Sequence, residues 1–254
     1  MTDDLAAISP LFNYDTAVDW TARLEREGPF LVSALRGAPS ERVLDLGSGT
    51  GEHANWLAER GFTVVGIEGV KERWEVAKSR AVANVQHLAG DLGAVEAMVR
   101  GHFGAVVCLG NTLPALIGVE TISRMFVGLR RRLLPGGVFV GQQLNYDALA
   151  PGELTRLPQR RLAVEGGELV FERQLELRAE GVVAVTETVH RRQSGGEGGG
   201  ELVHQRQLFQ QGWRHQELLT LLDVAGFRRV EVFGGFASQP FDLAASAEMV
   251  LLAT

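Results

Sequence analysis

The chain has 254 residues, 45% hydrophobic and 22% charged, with a formal net charge of -6. That fits one decorated globular domain with an ordinary core, and its scattered arginines (Arg130 to Arg132, Arg160 with Arg161, Arg191 with Arg192) form no basic stripe for nucleic acid. The single Cys108 allows no internal disulfide, no Cys/His cluster has zinc spacing, and neither a signal pattern nor an apolar run of about 18 residues is present. The expectation is a soluble cytoplasmic protein with no metal, nucleic-acid or membrane partner.

Residues 14 to 36 carry apolar positions at helical spacing (Val18, Ala22, Leu24, then Phe30, Leu31, Ala34, Leu35), and Gly28-Pro29 interrupts them, which predicts two leading helices. From there to residue 145, short β-branched runs alternate with helical stretches. RVLDL precedes a helix at 52 to 60, TVVGI one at 71 to 82, VQHLA one at 93 to 100 and GAVVCL one at 120 to 133, before GVFVGQQ. Five such units predict a parallel sheet with helices on both faces. The nearly continuous apolar runs at 43 to 46, 64 to 67, 105 to 109 and 138 to 140 belong at its centre.

Between 158 and 210 the pattern turns to period-two alternation (Leu169, Phe171, Arg173, Leu175, Leu177; Val183, Val185, Glu187, Val189), which predicts antiparallel strands solvated on one face. The glycine-rich SGGEGGG at 194 to 200 reads as a hairpin tip between two of them. A helix near 214 to 225, ended by Gly226, precedes strands in RRVEVFGG and EMVLLA, a terminal hairpin suited to closing the sheet edge. The fold class is therefore α/β: a Rossmann-like, doubly wound, mostly parallel seven-stranded sheet with an antiparallel insertion between its fifth and sixth strands. The expected organisation is N-terminal helices over 1–40, a cofactor-binding core over 41–150, a substrate or lid insertion over 151–211 and a completing helix and strands over 212–254.

The strand Arg42 to Leu46 runs into Gly47-Ser48-Gly49-Thr50-Gly51-Glu52-His53, a turn whose glycines bring backbone N–H groups toward an anion at a helix start. Alone this is weak evidence, because dinucleotide-binding oxidoreductases also place glycines here. The third glycine, however, comes one residue early and leaves Glu52 where a pyrophosphate would approach. Asp45, two residues before Gly47, suits a cationic amino group better than a phosphate. Glu68 closes the second strand, where an acid accepts ribose hydroxyls, and Asp91 follows the third strand either as an adenine contact or as a helix N-cap. His53 either lines the ligand site or lies on its helix surface. Asp147 is read first as an anchor for the fifth strand's end, and Cys108 as a buried small hydrophobe.

The motifs VLDLGSGTG, GIE, AGDL and LPGGVFV, in this order over residues 41 to 145, resemble class I S-adenosylmethionine-dependent methyltransferases. Within that class CLGNTL at 108 to 113, NYD at 145 to 147 and the following antiparallel insertion are similar to the glycine and sarcosine N-methyltransferases and their bacterial relatives. The resemblance implies S-adenosylmethionine as cofactor. Asp45, Gly47, Ser48, Gly49 and Gly51 would hold the methionine portion, Glu68 and Gly69 the ribose, and Asp91 and Leu92 the adenine. Leu109 would line the sulfonium, with Tyr14 and Arg23 covering the cofactor. Asn111, Asn145 and Tyr146 are the candidate catalytic residues.

The resemblance breaks where those enzymes hold the substrate carboxylate. Their arginine directly before Asn-Tyr-Asp is Leu144 here, and a histidine four residues beyond Asn111 is Ala115. Losing a charge-assisted hydrogen bond costs roughly 1.5 to 3 kcal/mol, about tenfold to a hundredfold in affinity, so glycine is a disfavoured substrate. Arg173 or Arg206 on the insertion is the candidate replacement. The sequence thus points to in-line methyl transfer to the amine or hydroxyl of a small-molecule acceptor, by a monomer or homodimer. The alternatives are a cofactor-binding protein without transfer activity and, behind it, an NAD-dependent oxidoreductase.

Overall fold

The computed structural model describes residues 18–193 and 200–254. Tyr14 and the segment 194–199, most of the glycine-rich tip, lie outside the described residues. The chain alternates helix and strand through its first half: α1 (Trp20–Arg36), β1 (Arg42–Leu46), α2 (Glu52–Ala58), β2 (Thr63–Glu68), α3 (Lys71–Arg80), β3 (Val85–Ala89), α4 (Val95–Met98), β4 (Phe103–Cys108), α5 (Val119–Arg132) and β5 (Leu133–Leu144). Strands β6 (Leu154–Arg156), β7 (Arg160–Val164), β8 (Gly167–Leu177), β9 (Val182–Gln193) and β10 (Glu201–Gln211) follow, and α6 (His215–Val224), β11 (Val230–Phe233) and β12 (Glu248–Ala253) end the chain.

The seven-stranded sheet has the order β11-β12-β5-β4-β1-β2-β3. Strands β1 to β5 are parallel, and β12 runs antiparallel to both β5 and β11. The expected terminal hairpin forms, but the last strand lies inside the sheet, leaving β11 as its edge. The sequence of β12 explains this placement: Met249, Val250 and Leu251 are all buried, as a strand covered on both faces requires.

Alternate residues of each central strand enter two different cores. Val43, Val64, Ala105, Val107, Val138, Val140 and Val250 pack with Phe30, Leu31 and Leu35 of α1 and Ala54 and Leu57 of α2. Leu44, Leu46, Val106, Phe139 and Met249 pack on the opposite side, with Met125, Phe126 and Leu129 of α5 and Leu218 and Leu222 of α6. Residues 149–212 belong to a second compact unit, in which β10, β9, β8 and β6 form an antiparallel sheet and β7 pairs with β8. In β8 and β9, Leu169, Phe171 and Val189 form a buried cluster, as period-two alternation predicts. No helix of the described residues is long and apolar enough to cross a membrane.

The predicted break at Gly28-Pro29 does not occur, and α1 is one helix with Pro29 inside it. Proline in a helix interior costs about 3 kcal/mol, and burial of Phe30, Leu31 and Leu35 just beyond it opposes that loss at roughly 1.5 to 3 kcal/mol per side chain. Gly28 allows the close approach of α1 to α2, because a Cβ there would run into the rigid ring of Trp56. Replacing Gly28 with alanine is expected to destabilise the chain by about 1 to 2 kcal/mol, overpacking outweighing alanine's better helix propensity. Urea denaturation would show a lower midpoint with an unchanged slope, whereas an unchanged or higher midpoint would contradict the close contact.

Candidate functional site

On the sheet face covered by α1 and α2, the apolar stripe gives way to polar side chains at the carboxyl ends of the strands. On β1, Val43 is followed on the same face by Asp45, beside Gly66 of β2 and Val107 of β4. On β2, Val64 and Gly66 lead to Glu68, and on β3 His87 lies beside Gly66. Open parallel sheets bind their ligands at such carboxyl ends.

Asp45 is 2% exposed, and its Oδ2 has no hydrogen-bond partner among the described residues. Burial, with the Glu68 charge adding to it and Arg23 opposing it, pushes the Asp45 carboxyl up to about 7. A buried, unsatisfied carboxylate oxygen is unfavourable until a donor or cation meets it. Burial, followed by the charge of Asp45, also raises the Cys108 thiol, which keeps it protonated and unreactive.

Gly47, Gly49 and Gly51 all have positive φ (68°, 57° and 90°), the left-handed conformation that favours glycine. The turn is not the anion cradle its glycines suggest. Gly47 and Ser48 donate their N–H groups to the Ile67 carbonyl at 2.8 and 3.0 Å, and Gly51 donates to the Ser48 carbonyl at 2.9 Å. Gly49 donates to Glu68 Oε2 at 2.8 Å. These four donors, which a pyrophosphate would need, are occupied within the protein. The Ser48 hydroxyl lies 3.3 Å from Nδ1 of His87, a residue that the sequence pattern of β3 does not mark out. A Cβ at Gly66 would collide with both side chains, so this glycine makes room for them.

Glu68 receives the Gly49 N–H on Oε2 and, at 2.8 Å, the Val70 N–H on Oε1. Each carboxylate oxygen has a second acceptor site, so the two backbone donors orient Glu68 while leaving it able to accept hydroxyls. Gly69 follows, with the Gly90 carbonyl 3.4 Å from where its Cβ would stand. Asp91 accepts the Gly93 N–H at 2.9 Å and caps the short 3-10 turn Leu92–Ala94. Leu92 is partly buried against the core.

The loop after β4 is tied to β1 and β5. The Thr112 hydroxyl donates to the carbonyl of buried Leu109 at 2.7 Å, and its side chain fills the space a Cβ at Gly47 would take. Asn111 sits at a φ of 65°. Its N–H donates to Gln142 Oε1 at 3.2 Å, its Oδ1 accepts the Leu144 N–H at 2.9 Å, and its Nδ2 donates to the buried Tyr146 hydroxyl at 2.8 Å. Gln142 Nε2 in turn donates to Glu248 Oε2 at 2.8 Å. Burial raises the Glu248 carboxyl, against the charge of Arg26 and the Gln142 hydrogen bond.

Asn111 and Tyr146 thus come together, whereas Asn145 turns elsewhere. The Asn145 amide donates to the carbonyls of Leu243 and Ser246 at 3.0 and 2.9 Å, and its Oδ1 accepts the Asp147 N–H at 3.1 Å. This amide pins the loop before β12 to the end of β5. Asp147 accepts the His215 N–H at 2.7 Å, which anchors the start of α6. Within the second unit, Arg206 is paired with Glu187 and so held in its own sheet.

A buried polar cluster joins α1 to α2. Glu27, 1% exposed, accepts from Arg23 Nε at 2.8 Å and Arg26 Nη2 at 2.9 Å through Oε1. Its Oε2 lies 2.8 Å from His53 Nε2. Burial raises the Glu27 carboxyl, but the His53 hydrogen bond and the Arg23 charge overcome it and bring it down to about 2. Burial lowers the His53 pKa more than the Glu27 hydrogen bond raises it, so a neutral imidazole with its proton on Nε2 fits the contact. The Trp20 ring stands edge-on to His53, with centroids 5.4 Å apart. Of the two readings of His53, the helix-surface one fails, since the residue is 6% exposed.

This geometry fits S-adenosylmethionine. An amino cation such as that of its methionine portion would satisfy the Asp45 oxygen, and a ligand without phosphate would not need the occupied turn amides. Residues 43–137 match the family model described as a methyltransferase domain. The glycine/sarcosine N-methyltransferase of Aphanothece halophytica is 32% identical over 139 residues, which are 54% of this chain and 52% of that one. The glycine/sarcosine/dimethylglycine N-methyltransferase of Actinopolyspora halophila is 31% identical over 140 residues, 54% of this chain and 25% of that one. This chain therefore spans about half the length of the first of these relatives and a quarter of the second. Among solved structures, the CcbJ methyltransferase from Streptomyces caelestis aligns with a TM-score of 0.72 and 25% identity over 91% of this chain and 88% of its own.

In sequence and fold the chain is similar to class I S-adenosylmethionine-dependent methyltransferases. Within that class it is similar to glycine and sarcosine N-methyltransferases over roughly half its length.

The Asp45 carboxyl titrating at about 7 gives a pH signature. Ionised Asp45 is the form that attracts an amino cation, so below about pH 7 binding must first remove its proton. Affinity for S-adenosylhomocysteine, measured calorimetrically, should rise with pH up to about 7 and level off above it, approaching a tenfold change per pH unit on the acid side. Asp45→Asn should flatten this dependence and bind about tenfold to a hundredfold more weakly at pH 8. An unaltered pH dependence in the variant would rule Asp45 out.

Proposed function

We propose that this protein transfers the methyl group of S-adenosylmethionine to the amine or hydroxyl of a small molecule other than glycine. The observation that carries the reading is the buried Asp45 carboxylate with an unsatisfied oxygen, at the strand end beside a turn whose N–H groups are already occupied. Asp45 binds the donor's amino group, Arg23 faces its carboxylate, Glu68 accepts the ribose hydroxyls, and Asp91 with Leu92 receives the adenine. When bound, S-adenosylmethionine supplies a methyl on a sulfonium, so in-line displacement requires no covalent residue. The protein's task is to hold the acceptor about 3 to 3.5 Å from that carbon and to keep water away.

Asn111 and Tyr146 wall the acceptor side, each fixing the other, and Asn145 acts by holding the 242–246 loop in place. Leu144, whose N–H is held by Asn111, puts an apolar side chain where the glycine enzymes resemble one another in carrying an arginine. Ala115 likewise offers no hydrogen bond. These two positions support the exclusion of glycine.

The test is product formation. The protein, S-adenosylmethionine and a panel of small amines and hydroxyl compounds should yield S-adenosylhomocysteine and a methylated acceptor detectable by mass spectrometry, with glycine giving at least tenfold less than the best acceptor. Tight S-adenosylhomocysteine binding with no product across a broad panel would instead favour a binding protein without transfer activity. Absence of cofactor binding would refute the reading.

A further inference from the structure

The Arg23–Glu27–His53 cluster is more buried than a surface helix contact requires. On α1, Arg23 and Glu27 continue toward the N-terminus the same stripe that Phe30, Leu31, Ala34 and Leu35 make against the sheet. On α2, His53 stands one turn before Leu57 of the same core, and on β1 Asp45 follows Val43 on the same face. Helix α1, helix α2 and strand β1 therefore all change from apolar to ionisable at one level, the level of the glycine turn.

Glu27 is the centre of this layer. Its Oε1 takes Arg23 Nε at 2.8 Å and its Oε2 meets His53 Nε2 at the same distance. Both oxygens are thereby directed, and Arg23 is fixed through its Nε, which leaves the guanidinium one orientation about its long side chain. Arg23 also stacks over Trp20, 4.9 Å from the ring centroid, and its side chain is only 14% exposed. A charged guanidinium gains most in binding a carboxylate when its geometry is fixed beforehand. The charge of Arg23 is felt at Asp45 as well as at Glu27.

We infer that Glu27 is a positioning residue for methyl-donor binding: held by His53 of α2, it orients Arg23 toward the site of the donor's amino-acid portion at the end of β1. This rests on the donor reading above and adds to it a residue that touches no ligand itself. Two of the cluster's residues flank the Gly28-Pro29 step and the glycine turn, so the same contact couples the covering helix to the cofactor loop. A role confined to stabilising the fold would affect every ligand of the pocket alike. A role in orienting Arg23 affects only ligands that carry the amino-acid portion.

Two probes separate these cases: S-adenosylhomocysteine, which has the amino acid, and 5′-methylthioadenosine, which has the nucleoside and sulfur but lacks it. In calorimetric titrations, Glu27→Gln should weaken S-adenosylhomocysteine at least tenfold and change 5′-methylthioadenosine less than twofold. Equal weakening of both, or no change in either, would overturn the inference. Should Glu27→Gln not fold, Glu27→Asp, which keeps the charge but shortens its reach, reads the same ratio with the same two outcomes. Wild-type protein that binds neither probe would instead remove the donor reading, so the two failures are distinguishable.

Discussion

The structure turns on one constraint: a carboxyl buried at the end of a central parallel strand ionises readily only where a donor or cation meets it. Asp45 is placed by the register of β1 between β2 and β4, and its unsatisfied Oδ2 leaves the ionised form unfavourable until a donor or cation meets it. Surrounding features follow from that need. Val107 on one side and Gly66 on the other keep its immediate neighbours in the sheet non-ionic, so the field at Asp45 comes from Glu68 and Arg23. The glycine turn above closes upon its own backbone, and this directs the site toward a cation rather than a phosphate.

A second principle is the way long-range pairs hold short segments. Thr112 fits against Gly47, Asn111 ties β4 to β5, and Asn145 ties β5 to the loop before β12. Polar side chains at the carboxyl end thus do for the loops what apolar ones do for the strands. Buried networks of this kind are favourable only when each member is satisfied, and Asn111 meets that condition at its backbone and at both side-chain ends. The strained φ of Asn111 is held by the same contacts.

Most of the core was legible in the sequence because its signals are local. Short, nearly continuous apolar runs mark β1, β2 and β4, and an acid within or directly after such a run singles out Asp45 and Glu68 as candidates without knowledge of any distant partner. What escaped were features decided by residues far apart. His53 meets Glu27 across 26 positions, and nothing in the spacing of either announces it. Pro29 reads as a helix breaker until the packing of Phe30, Leu31 and Leu35 is known. The occupied N–H groups of the glycine turn depend on the Ile67 carbonyl and Glu68, both on the next strand. Asn145 reads as a site residue through the Asn-Tyr-Asp resemblance, but only the fold shows its amide turned into the 242–246 loop. A buried asparagine next to an aromatic residue carries no sequence mark that separates these two uses.

The most direct test of the central claim is a crystal structure of the protein with S-adenosylhomocysteine. The account predicts the ligand's amino nitrogen within about 3 Å of Asp45 Oδ2, with its ribose hydroxyls on Glu68. An amino group bound elsewhere, with Asp45 Oδ2 still unmet, would contradict it.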